Sequence, residues 1–131
     1  MKFKSNIILI LILIMVLITT FFVNKKENII KDLTFKQIED KNTPLNYKKE
    51  YTFIIKELNG NDNSLQFNII NHYVEVCIED NLIYELKDIE QTKENKLIKI
   101  PLTRENINNK IKIILIPLDE KSDNDIDLEI K

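Results

Sequence analysis

The 131-residue chain contains no alanine and no tryptophan, one glycine, three prolines, one histidine and one cysteine. Each scarcity closes off a class of chemistry. A single His with a single Cys cannot supply the nitrogen and sulfur ligands of a zinc site, and one cysteine has no internal partner for a disulfide. One glycine leaves no glycine-rich loop to cradle phosphates. There is no H-E-x-x-H pair, and no Ser, His and Asp arrangement that nominates a nucleophile. A net charge of −2 supplies no basic surplus for bulk nucleic-acid binding. Alanine is the best helix former, and its absence beside 25 isoleucines turns the chain toward strands. The expectation is a noncatalytic protein, with no catalytic residue, cofactor or metal site to assign.

What the chain does have begins with a long apolar run. Ile7 to Val23 reads IILILILIMVLITTFFV without a charge, and the uncharged stretch widens to Ser5 through Asn24. Twenty residues at a rise of about 1.5 Å reach roughly 30 Å, the hydrocarbon thickness of a bilayer. The run predicts one N-terminal transmembrane helix, an anchor over residues 1–24 that meets the lipid bilayer through residues 7–23. Lys2 and Lys4 also give it the basic start of a secretory signal. The long run and the lack of small residues around Thr19 to Val23 favour an uncleaved anchor. Lipoprotein processing needs a cysteine after the run, and Cys77 is far away. A short basic tail of this kind is expected to stay inside, which makes the protein a single-pass component of the cell membrane with residues 24–131 extracytoplasmic.

Beyond the run lie all 21 acidic residues and 17 of the 19 basic ones. Residues 25–46 read as a stalk leading to a first edge strand or short helix, with Asn42-Thr43-Pro44 as a breaker. From residue 47 to 131 period two takes over. Leu65, Phe67 and Ile69 alternate with Gln66 and Asn68, and Val74, Val76 and Ile78 alternate with Glu75, Cys77 and Glu79. Gly60 sits in the turn signal Asn59 to Asn63, and Asp80-Asn81 is a candidate hairpin turn before a return strand Leu82 to Leu86. Further strands are expected at Tyr51 to Leu58, Lys96 to Pro101, Lys110 to Ile116 and Asp125 to Ile130, with one helical turn capped by Thr103. Seven or eight short strands at this spacing predict an all-β, antiparallel β-sandwich.

The segments Ser64 to Leu86 and Leu97 to Leu118 carry a resemblance. Leu65, Phe67, His72, Val74, Val76, Asp80, Leu82, Ile83, Tyr84, Ile100 and Pro101 follow a pattern similar to that of extracytoplasmic sensor domains of bacterial membrane histidine kinases and diguanylate cyclases. Those are jelly rolls of the galactose-binding-like kind. Asn81 departs from the family's usual glycine, and Ile100 from its leucine before proline. The resemblance implies a jelly-roll-like module that senses a small ligand or glycan, or meets a membrane protein partner. Output would come from another chain, since Ile111 to Ile116 is too short for a second span. The alternatives are a cell-surface carbohydrate-binding module and the sensor portion of a receptor kinase or cyclase.

Several residues merit placement in three dimensions. His72 is the one side chain that titrates near neutrality, read either as a ligand contact or as a ring packed on a strand and bonded to a backbone carbonyl. Cys77 is read as a half-buried hydrophobe or as the seed of an intermolecular disulfide. Asp123, Asp125 and Asp127 open like a calcium loop, but Leu128 stands where that loop needs glycine and Glu129 comes too early, so outward acids on a strand explain them. Tyr47, Tyr51, Phe53, Tyr73 and Tyr84 offer either a sugar-stacking face or core packing.

Overall fold

The structure, a computed structural model, describes residues 6–17, 29–122 and 125–131. Residues 6–17 form a helix, α1, and its large apolar side chains from Ile7 to Leu17 stand 47–69% exposed. Among the described residues no helix is long and apolar enough to cross a membrane. The expected span continues through residues 18–23, which lie outside the described residues.

The body is all antiparallel β. Its strands are β1 (Ile30–Glu39), β2 (Tyr47–Ile55), β3 (Asn63–Ile69), β4 (His72–Ile78), β5 (Asn81–Leu86), β6 (Lys96–Leu102), β7 (Lys110–Pro117) and β8 (Glu129–Ile130). A large sheet has the order β1-β2-β7-β4-β5, and a small sheet the order β6-β3-β8. Three of the pairings nest: β2 with β7, β3 with β6, and β4 with β5.

Period two builds the interior. Phe53 and Ile55 from β2, Val74 and Val76 from β4, and Ile111, Ile113 and Leu115 from β7 form the inner face of the large sheet. Leu65, Phe67 and Ile69 from β3, with Ile98, Ile100 and Leu102 from β6, face them from the small sheet, and all belong to one cluster. The two sheets thus share a single core in a sandwich-like arrangement, as the alternation in the sequence predicts.

Local chemistry sets the turns. Between β1 and β2, Asp40 accepts from the Asn42 N–H at 3.0 Å and its carbonyl accepts from the Thr43 hydroxyl at 2.8 Å. Gly60 takes φ = +81°, which an L side chain rarely adopts. The β4–β5 turn falls one residue earlier than the sequence predicts: Glu79 (φ 49°) and Asp80 (φ 65°) make it, and Asn81 is already in β5 opposite Ile78. The reason is a tie to β7, because the Glu79 carboxylate and N–H both bond the Lys110 backbone.

A short helix that the sequence reading misses, α2 (Ile89–Thr92), is capped by Asp88, whose carboxylate accepts from the Glu90 N–H at 3.0 Å. Thr103 precedes a 3-10 turn, Arg104–Asn106, and its N–H donates to the Asn106 side chain at 2.8 Å. Of the expected strand over Asp125 to Ile130, only the last two residues join a ladder. Ile126, Leu128 and Ile130 still pack against the core in alternation.

Candidate functional site

Two strands of the large sheet carry polar residues onto the inner face at the same end of the body. On β2 the inward positions run back from Ile55 through Phe53 and Tyr51 to Lys49, which is 3% exposed. On β4 they run back from Val76 through Val74 to His72, 2% exposed. β7 lies between, with Leu115 opposite Lys49 and Pro117 opposite His72. Ile70 and Asn71 bend the chain from β3 into β4. Asn71, at φ = 51°, donates from its N–H to Thr92 at 2.7 Å and accepts from Leu118 at 2.9 Å, fixing the bend to both neighbouring segments.

That bend sets the protonation of His72. Its Nδ1 lies 2.7 Å from the Ile70 carbonyl oxygen, which can only accept, so Nδ1 carries the hydrogen of a neutral ring. Nε2 is then a bare acceptor. It is buried and has no hydrogen-bond partner among the described residues. Burial pushes the imidazole below its ordinary value; the Ile70 bond opposes this and the charge of Lys49 adds to it.

Burial likewise lowers Lys49, with Asp125 pulling it back up. Tyr51 is raised by burial; the Ile126 backbone opposes that shift and the Asp125 charge adds to it. Its hydroxyl is also buried and makes no hydrogen bond of normal geometry among the described residues. Asn68, Ile69, Ile70, His72, Asn95, Asp125 and Ile126 line a half-open pocket of about 200 Å³ beside these groups.

No known family, curated protein or solved structure matches this chain. A broader groove of about 550 Å³ crosses the outer face of the small sheet past Ser64, Gln66, Lys99 and Lys131. There Gln66 is already bonded to Ser64 at 2.8 Å, whereas the end pocket brings His72, Asp125, Asn68 and Asn95 to one wall.

The other candidates separate. Cys77 is half-buried on the outer face of β4, and burial, Glu75 and Asp80 raise its thiol while Lys112 opposes. Phe53 and Tyr51 are in the core, Tyr84 packs against it from β5, and Tyr73 lies on the opposite face of β4 from His72. Tyr47, Tyr51 and Phe53 alternate on one face of β2, but Tyr51 and Phe53 are buried, so the five together offer no exposed stacking face. Among the described residues no group of three or more His, Cys, Asp or Glu stands close enough to hold a metal ion. Asp123 lies outside the described residues, while Asp125 and Asp127 are exposed with Ile126 turned inward between them.

Lys49, Asn95 and the role of Asp125 escaped the sequence reading. For Lys49 a signal exists: stepping back by two from Phe53 and Tyr51 lands on it.

Proposed function

We propose that this protein is a noncatalytic ligand-sensing module, an extracytoplasmic β-sandwich tethered to the cell membrane by its N-terminal apolar segment. The observation that carries the sensing reading is the half-open pocket of about 200 Å³ at one end of the body, where His72, Asp125, Asn68 and Asn95 meet. Such a cavity is smaller than typical drug-sized pockets of roughly 300–1,000 Å³, so a small polar molecule suits it. The three nested pairs, β2 with β7, β3 with β6 and β4 with β5, support the jelly-roll reading. The apolar side chains of α1, exposed rather than packed on the body, support the tether. The burial of Tyr51 and Phe53 in the core speaks against stacking a long glycan. The sensing output passes to a membrane protein partner.

Because the chain has one histidine, its ring nitrogens report on the site alone. Full-length protein labelled with ¹⁵N-histidine is titrated with a pooled set of small polar metabolites of positive, negative and zero charge. A saturable shift of the Nε2 resonance is expected, and a signal indifferent to every pool overturns the sensing reading. Protease protection of the full chain in intact cells tests the tether and its sidedness.

A further inference from the structure

β3 is paired along its whole length with β6, from Asn63 opposite Leu102 to Ile69 opposite Lys96. Its other edge is only partly covered. Ser64 and Lys131 exchange two backbone bonds there, at 2.8 and 3.0 Å, and Gln66 pairs with Glu129. Backbone groups of an antiparallel strand alternate between its two edges, so Asn68, next after Ser64 and Gln66 in that alternation, turns its N–H and C=O to the same side. The rung that would follow is not made. Among the described residues the ladder ends at Gln66, and no backbone bond joins Asn68 to Asp127. Ile126 and Leu128 pack against the core on either side of Asp127, which keeps that segment off the ladder.

The structure is open along β3 in both directions from the missing rung. Asn68 borders the end pocket of about 200 Å³ together with Ile70 and Asp125, and also a trough of about 270 Å³ together with Gln66, Leu97 and Asp127. Taking the end pocket as a binding site, as the sensing reading does, we infer that its ligand is a short basic peptide that lies extended along this edge and supplies the missing rung to Asn68. A peptide unit carries one donor and one acceptor at the spacing of a strand, and strand addition to an open edge draws its affinity from those main-chain bonds. The open stretch from Asn68 to Ile70 admits about three residues at roughly 3.4 Å each. Charge sets the preference within the class. Asp125 and Asp127 are exposed beside the gap, while Glu129 is already paired with Lys131 at 3.2 Å, so the wall is acidic. The exposed Leu97 gives the peptide an apolar contact.

The test uses the full chain in detergent micelles, labelled with ¹⁵N-asparagine, and three probes: the amidated tripeptide Lys-Val-Lys, the same peptide methylated on its backbone nitrogens, and amidated Glu-Val-Glu. Lys-Val-Lys should shift the Asn68 amide saturably and slow its hydrogen exchange, with at least tenfold weaker binding of the methylated and acidic forms. Equal binding of the methylated peptide shows that main-chain pairing is not used and overturns the inference, as does equal binding of the acidic one. A response to the metabolite pools without one to Lys-Val-Lys overturns the inference and leaves the sensing reading in place. Silence toward pools and peptides together removes both. Protection of the Asn68 amide that rises with protein concentration alone assigns the edge to a second copy of the chain and also overturns it.

Two variants read by calorimetry complete the test. Asn68→Pro removes the N–H from the open edge and spares the bonds to β6, where Pro101 already occupies an equivalent position opposite Ser64. Affinity for Lys-Val-Lys should fall at least tenfold. Asp127→Lys alters an exposed side chain, so it provides a folded variant even if the first is unstable, and it too should weaken binding. Unchanged affinity in a folded variant of either kind overturns the assignment.

Discussion

Phe35 on β1 and Tyr51 on β2 stand directly opposite each other, their ring centroids 5.0 Å apart and their planes inclined by 51°. Tyr51 is in the core, while Phe35 is half exposed on β1, the edge strand of the five-stranded sheet. The pair therefore fastens an edge strand to the body. Phe35→Ala should lower stability by about 1 kcal/mol, the scale of an aromatic pair with partial burial. Thermal unfolding measures the loss, and a double-mutant cycle with Tyr51→Leu should show coupling between the two sites.

The inner face of β4 makes a graded prediction. Val76 is fully buried, and Val76→Asp places an uncompensated charge in the core, costing several kcal/mol against a total stability of about 5–15 kcal/mol. Loss of cooperative unfolding is expected. Ile78 is only partly buried at the strand end, so Ile78→Asp should weaken the fold without abolishing it. Circular dichroism melts of the two variants give the order.

His72 makes stability depend on pH in a definite direction. Its folded value lies below the ordinary one near 6.5, so as pH falls through that value the unfolded chain takes up a proton that the folded chain still refuses. Stability should decline from about pH 6.5 downward until the folded ring also protonates. His72→Gln should flatten this part of the profile in denaturant titrations.

Cys77 should react sluggishly. Burial and the neighbouring Glu75 both hold its thiol in the protonated form, and the thiolate is the nucleophile. Iodoacetamide at pH 7.5 should label the folded protein more slowly than the unfolded one, and Glu75→Gln should speed the reaction. Mass spectrometry of the adduct follows both.

At the β4–β5 turn, Asp80 holds φ = 65°. Asp80→Gly should stabilise the hairpin by about 0.5–1 kcal/mol, since glycine adopts this conformation without Cβ strain. Glu79→Gly should not, because it removes the carboxylate that bonds the Lys110 N–H.

The two-sheet body was readable from the letters because burial alternates wherever strands are half buried. Leu65-Phe67-Ile69 and Val74-Val76 show this without any structure. The turn at Glu79-Asp80 was less legible, since its position is set by a contact with Lys110 that is distant in sequence. The helix at Ile89–Thr92 is one turn held by the Asp88 cap, too short for any periodicity. The site was half visible. His72 could be flagged as the lone titrating group, but its bare nitrogen depends on the Ile70 carbonyl, and the cavity depends on the return of Asp125 and Ile126 beside it. Lys49 continues the inward alternation of Phe53 and Tyr51, but a lysine breaks the apolar pattern by which a buried face is read.

The nesting of the pairs also imposes an order in time. β4 and β5 are joined by a two-residue turn, β3 and β6 close over that hairpin, and β2 reaches β7 only across the whole intervening chain. Loop-closure entropy falls once each inner pair has formed, so assembly is expected to zip outward from Glu79-Asp80. A body so rich in distant pairings should fold in milliseconds to seconds. The wall containing Asp125 is put in place last, after the strands that support His72.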